Sequence, residues 1–370
     1  MQTQTKMKQG SLGVWLASNG LRLLVSLAIP IITFLVMRWG FLFLRDSQAP
    51  KTIIALVAII WGVGGVAVLY ILMNWLIEQL PAHWTKQIQP FVFIGPAMAI
   101  LGWFLFIPVL RTLYLSFMNR NSTEFVGFAN YFAAFTERAM LESFRNNLLW
   151  IFIGTASCVV LGLLIAILAD RSSFETAAKS LIFLPMAISF VGAGVIWRFI
   201  YFYRPVTQVQ IGLLNAIVVG LGGQPQAWTT LIQPWNNFFL ILAGVWMQTG
   251  FSMVVFSSAL KGVPEDLLEA ARVDGANEFQ IFFKIIIPQI RGTIITVTTT
   301  TVIFFLKIFD IVIVMTGGQY GTEVIGTQFY RQFFSNRNFG YGSAIAILLL
   351  IAVIPVMIYN LKQFGEREAF

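Results

Sequence analysis

The chain carries one histidine, His83, and one cysteine, Cys158, and this scarcity closes several classes of chemistry at once. A single thiol, set in an apolar run, gives neither a disulfide framework nor a thiolate metal site. His83 falls in a short polar connection, where a solvated loop residue is expected. No cluster of His, Cys or carboxylates suggests an intramembrane enzyme, and no metal or other cofactor is called for. The dipeptide Gly-Lys is missing altogether, so a phosphate-binding loop of the form Gly, four residues, Gly-Lys-Ser/Thr cannot be built. The chain is therefore not expected to hydrolyse ATP. Charge is scarce as well: 11% of residues are charged, against roughly 25% in soluble domains. The net charge of +8 does not point to nucleic acid, because Lys and Arg are scattered at the ends of apolar runs and not clustered with aromatics.

What is abundant is apolar: 58% of residues are hydrophobic, and mean hydropathy is +0.79. The expectation is an all-α fold, a polytopic transmembrane helical bundle. A spanning helix needs about 20 mainly apolar residues. Eight stretches qualify, at about Leu21–Leu44, Thr52–Ile77, Phe91–Phe117, Asn147–Ala169, Ala177–Phe202, Phe238–Leu260, Thr293–Met315 and Tyr341–Leu361. An even number puts both termini on one side. The segment before the first run is polar, with Lys6 and Lys8, and lacks the marks of a cleavable signal. The 24 Lys and Arg divide evenly between the two sides, so the positive-inside rule does not orient the chain. Gly62, Gly64 and Gly65 in the second run allow either close helix contact or unspecialised packing.

One long charged interval interrupts these runs: Leu268-Glu269-Ala270-Ala271-Arg272-Val273-Asp274-Gly275-Ala276, continuing through Phe279 and Phe282 to Ile287-Pro288. Pro264 suits a first helical turn, and Glu265, Asp266 and Glu269 place negative charge at the positive end of the helix dipole. A helix over about Pro264 to Val273 follows, ended by a positive φ at Gly275. Asn277 can cap a second short helix that Pro288 stops. The outcome is a helix–turn–helix outside the bilayer.

This spacing resembles the EAA loop of ABC-importer permeases, with Ile287 where that pattern commonly has Leu. The resemblance implies a coupling helix seated in a groove on an ATPase subunit. Small Ala270 and Ala271 would permit close approach and Glu269 would meet a basic residue, with Asp274, Gly275, Ala276 and Pro288 completing the set. An ordinary amphipathic connector is the bland alternative. From Phe91 onward the chain resembles carbohydrate permeases of the maltose type, through Gly95-Pro96, Pro108, Ser116-Phe117, Phe125 to Tyr131, Asn146-Asn147 opening the fourth span, and Phe183-Leu184-Pro185 near the start of the fifth. Phe309-Asp310 and Thr316-Gly317-Gly318 match the family's pattern further on. Lys307 and Asp310, one turn apart on one helix face, read as a self-neutralised structural pair or a transport pair. The uncharged segment after Arg204, with Trp228 and Trp235, reads as an interfacial helix plus an aromatic loop, either beside a sugar path or simply anchoring at the interface.

By resemblance, residues 1–90 hold a tail and two extra helices, and 91–370 form a six-span permease core with its coupling loop at 261–292. The implied partners are a second, six-span permease subunit, an ATPase dimer, membrane lipid and a periplasmic or lipid-anchored sugar-binding protein. The implied setting is a bacterial inner membrane with both termini cytoplasmic. The implied substrate is a di- or oligosaccharide or an osmoprotective glycoside such as trehalose, sucrose or glucosylglycerol. Sugars need amides, hydroxyls and aromatic surface at mid-depth. Met247, Gln248 and Phe251 on the sixth span and Thr301, Phe304 and Phe305 on the seventh supply them, or else simply pack. The competing class is a stand-alone secondary transporter or channel. Such carriers usually hold ionisable residues at the midplane, and the fourth, sixth and eighth spans have none in their middles.

Overall fold

The computed structural model describes residues 31–78, 82–230 and 233–368. Among these residues the elements are helices, joined by short turns and one isolated bridge between Met118 and Phe125. Part of the first expected span, Leu21–Leu44, lies outside the described residues, which begin within it as helix α1, 31–46. The chain divides into two compact units at Pro108. In the first, α1 and α2 (51–78) pack through close contacts of Gly40 with Trp61 and Gly65 with Met37, and Tyr70 stacks on Phe93 of α3 (82–115) at 5.7 Å. His83 belongs to the first turn of α3 and not to a connection, and the helix continues through Pro90 into the apolar run.

The second unit holds α4 (Ala129–Thr136), α5 (Arg138–Asp170), α6 (Glu175–Ala187), α7 (Phe190–Ile200), α8 (Leu213–Gly220) and α9 (Trp235–Lys261). Beyond these come α10 (Glu265–Val273), α11 (Glu278–Gln289), α12 (Arg291–Leu306), α13 (Asp310–Met315), α14 (Ile325–Tyr330) and α15 (Phe339–Glu368). Five helices are long and apolar enough to cross a membrane, or up to seven if each bent pair counts as one span, among the described residues. The most apolar stretch of α9 is 61% buried against 28% for α5 and less for the others, so α9 is the axis of this unit. Small residues bring its neighbours in: a side chain at Gly162 would stand 2.5 Å from Cβ of Ser252, and one at Gly250 would stand 2.7 Å from the carbonyl of Ile182.

Two expected spans are broken. The fifth turns by 103° between α6 and α7, where Leu184–Ala187 tightens to a 3-10 turn around Pro185 and Ser189 caps α7 by accepting from Gly192 N at 3.0 Å. Phe183-Leu184-Pro185 is thus a corner, not an early stretch of a straight span. The seventh stops at Leu306 and resumes at Asp310, so Lys307 and Asp310 do not share a helix face and form no ion pair with each other. Asn146 and Asn147 do not open the fourth span either; α5 starts at Arg138, and both amides are fully engaged inside it.

Those amides fasten one end of the unit. Asn146 Nδ2 donates to the carbonyls of Gly321 (2.8 Å) and Glu323 (2.7 Å), while Asn147 donates to Leu306 O (3.1 Å) and accepts from Ile325 N (2.7 Å). Asn236 donates to Tyr320 O and Gln233 to Gly321 O, each at 2.7 Å. The segment after Arg204 folds onto the same end through Asn215, which is fully buried. It donates to Phe202 O (3.1 Å) and Gln226 O (3.0 Å), and accepts from Gln226 N (2.9 Å) and Trp228 Nε1 (3.0 Å). Trp228 is therefore structural, whereas Trp235 stays exposed.

Candidate coupling loop and translocation site

The charged interval folds at the other end of α9. Helix α10 begins after Pro264, with Glu265 and Asp266 in its first turn and Arg272 in its last, complementing the dipole at both ends. Gly275 takes φ +84° as its turn requires, and Asn277 with Gln280 forms a reciprocal capping box that starts α11. Across the turn Arg272 Nε meets Glu278 Oε1 at 2.9 Å; that hydrogen bond first, and the carboxylate charge second, raise the Arg272 pKa above its usual value. Pro288 does not stop α11. The helix widens to a π turn over Phe282–Ile286, carries Pro288 in a last turn and bends by 68° at Ile290, because the wider turn leaves room for the proline ring.

On this loop Glu269, Ala270, Asp274 and Gly275 are exposed and Ala271 and Ala276 are half-buried. Glu269 has no hydrogen-bond partner among the described residues. Val273 and Phe279 are 87% and 79% exposed on an otherwise polar surface. Behind the loop a cavity of about 650 Å³ separates it from the ends of α5 and α9. A charge cluster that the sequence reading missed stands beside it. Lys179 meets Asp170 and Glu175, and Lys261 meets Glu175, each at 2.5 Å, with Ser257 Oγ donating to Asp170 at 2.7 Å. The available signal was that each of these charges closes or opens an apolar run.

The six residues singled out for sugar contact do not behave alike. Phe305 is fully buried, 5.8 Å from Trp150 and pressed against Gly154 and Gly244, so its ring fills the core. Met247 shares that core, and the Thr301 hydroxyl is used by its own helix, donating to Val297 O at 2.7 Å. Phe304 is partly buried between Phe190 (5.4 Å) and Phe305 (5.0 Å), and Phe251 is half-buried. Gln248 is 8% exposed, yet its amide has no hydrogen-bond partner among the described residues. Its amide atoms are not among the buried unpaired ones, so they keep access to solvent.

A family signature described as the binding-protein-dependent transport system inner membrane component matches residues 158–364. The chain belongs to this family. Within it, the chain is 53% identical over 277 residues to the osmoprotective compounds uptake permease protein GgtC of Synechocystis sp., which aligns 75% of this chain with 99% of that one. It is 50% identical over 285 residues to the alpha-glucoside transport system permease protein AglF of Rhizobium meliloti, across 77% of this chain and 84% of that one. Among solved structures, a bacterial ABC transporter involved in the import of the acidic polysaccharide alginate superposes with a TM-score of 0.64 at 22% identity, covering 76% of this chain and 98% of that chain; the likeness is one of fold. As an inner-membrane permease the chain is a multi-pass membrane protein, which accounts for the apolar side chains exposed along its long helices.

Proposed function

We propose that the chain is one of two permease subunits of an importer for a glucoside or related osmoprotective sugar, with the 261–292 loop and both termini in the cytoplasm. The substrate class is supported by the names of the relatives at 53% and 50% identity. ATP would be hydrolysed by a separate ATPase dimer, a six-span permease would complete the path, and a periplasmic or lipid-anchored binding protein would deliver the sugar. The observation that carries this reading is the exposed helix–turn–helix in which Glu269 has no hydrogen-bond partner among the described residues and Val273 and Phe279 stand uncovered. Apolar side chains held out on a rigid polar element await a partner surface. Glu269, Ala270, Ala271, Asp274, Gly275 and Ala276 form its contact edge, and Pro288 marks where it rejoins the bundle. In the bundle, Gln248, Phe251 and Phe304 face the sugar, and Met247, Thr301 and Phe305 support them from behind.

Glu269→Ala in the reconstituted complex tests the coupling role. The lost charge-assisted contact is worth about 1.5–3 kcal/mol, so the variant should reach the membrane yet lose most ATPase stimulation by sugar-loaded binding protein. Full stimulation would remove the coupling reading. Gln248→Ala should raise the apparent KM for uptake while the complex still assembles; unchanged uptake would show that the sugar rests elsewhere.

A further inference from the structure

At the end of the unit opposite the coupling loop lies a second cavity, of about 410 Å³. Three stretches distant in sequence converge on it: the end of α7 and the residues after it, the loop around Thr229, and the turn that follows α13. Arg198, Tyr203, Thr229, Gln319 and Tyr320 all line it. None of these five side chains has a hydrogen-bond, ion-pair or ring partner among the described residues. The neighbouring Thr230, by contrast, donates to Ala227 O at 3.1 Å.

The turn that presents Gln319 and Tyr320 is built at a conformational cost. Gly317 and Gly318 take φ +64° and +77°, and Tyr320 itself takes φ +59°, a region that a bulky side chain rarely enters. The strain is held in place by side-chain amides: buried Asn236 donates to Tyr320 O, and buried Asn146 and half-buried Gln233 donate to the next carbonyl, Gly321 O. Four of the five side chains are exposed and Thr229 is half-buried, so a strained and fastened backbone here holds accessible polar groups over a cavity, where a ligand can reach them. Two phenols, an amide, a hydroxyl and a guanidinium are the donors and acceptors that vicinal sugar hydroxyls need, with ring faces for the apolar side of a pyranose.

We propose that this cavity is an outer subsite that holds one pyranose ring of the transported glycoside before it passes to the mid-depth site. The inference rests on the glucoside-permease reading above. The ring's hydroxyls bond to Gln319, Thr229 and Arg198, and Tyr203 and Tyr320 flank it.

The test uses the chain's single native thiol, which is buried at Cys158 and so leaves a low labelling background. Thr230→Cys, a lining position whose hydroxyl is already occupied, is introduced into the complete complex in proteoliposomes. It is labelled with a membrane-impermeant maleimide, and the label is read on this chain alone. Sucrose, trehalose and maltose are each added, with mannitol as the control. A sugar that the same vesicles take up should slow labelling about tenfold at ten times its dissociation constant. Gln319→Ala and Arg198→Gln in the same background should abolish that protection while labelling without sugar stays the same. Unchanged labelling with a sugar that is taken up overturns the subsite and leaves the permease reading intact, as does equal protection by mannitol. Uptake of none of the three sugars overturns the glucoside reading, and the subsite with it.

Discussion

Gly275 stands at φ +84° with open space where a side chain would go, so any penalty for replacing it lies in the backbone and not in a clash. A residue bearing a Cβ pays roughly 1–2 kcal/mol in that region, least for Asn and most for a β-branched side chain. Gly275→Val should therefore insert normally but lower binding-protein-stimulated ATPase activity of the complex, and Gly275→Asn should keep most of it; the two rates, measured side by side, check this. Asn215 presents the opposite case, since all four of its hydrogen bonds are filled and buried. Asn215→Ala strands the Trp228 and Gln226 N–H groups at about 1–3 kcal/mol for each group left unmatched, and should lower the detergent melting temperature of the complex. Gly275 was legible because it sits in a turn between two amphipathic helices, where local pattern and conformation agree. Asn215 was not, because its partners lie in irregular chain whose path no periodicity reports.

At the scale of elements, the turn between α13 and α14 holds a buried acid, Glu323. Glu323 is 7% exposed, contacts Arg331 and Gln328, and feels Glu142 nearby. Burial raises its pKa and outweighs the downward pull of Arg331 and Gln328. A carboxyl whose folded pKa is raised binds its proton more tightly in the fold than in the unfolded chain. Its contribution to stability is therefore full below the ordinary value of about 4.3 and is lost as pH rises through the folded value. Glu323→Gln, neutral throughout, should flatten the melting temperature against pH over that window, whereas an unchanged slope would place the titration elsewhere. The helices themselves were legible from hydropathy, and the breaks less so. Pro185 announces a disturbance but not a 103° corner, which also needs the cap at Ser189. Nothing at Lys307 to Phe309 resembles a breaker; the helix ends there against tertiary contacts, with Asn147 taking the Leu306 carbonyl. The sugar candidates were chosen by residue type along two helices, and type cannot tell Phe305, wedged against two glycines, from Phe304 beside it.

For the whole molecule, the proposed division of labour predicts that the chain alone, inserted in vesicles, takes up no sugar with or without ATP. Uptake should appear only when the second permease, the ATPases and the binding protein are added. Uptake by the chain alone, followed with radiolabelled sucrose or trehalose, would return the secondary-carrier alternative. The composition made the membrane setting plain, and the spacing around Glu269 and Gly275 made the family plain. What pattern could not give was how remote stretches meet, as Asn146 meets Gly321.

Helix α9 runs unbroken for 27 residues, about 40 Å at 1.5 Å per residue. At one end Asn236 holds the carbonyl of Tyr320, and at the other Lys261 leads through three residues into α10. A straight rod joined at both ends cannot be shifted at one without being felt at the other. Under the proposed coupling loop and outer subsite, nucleotide state at one end and sugar occupancy at the other would load a single strut, and thermodynamic linkage would make the exchange symmetrical: whatever free energy ATP spends loosening the outer grip, an occupied outer grip would return as a bias on the ATP side.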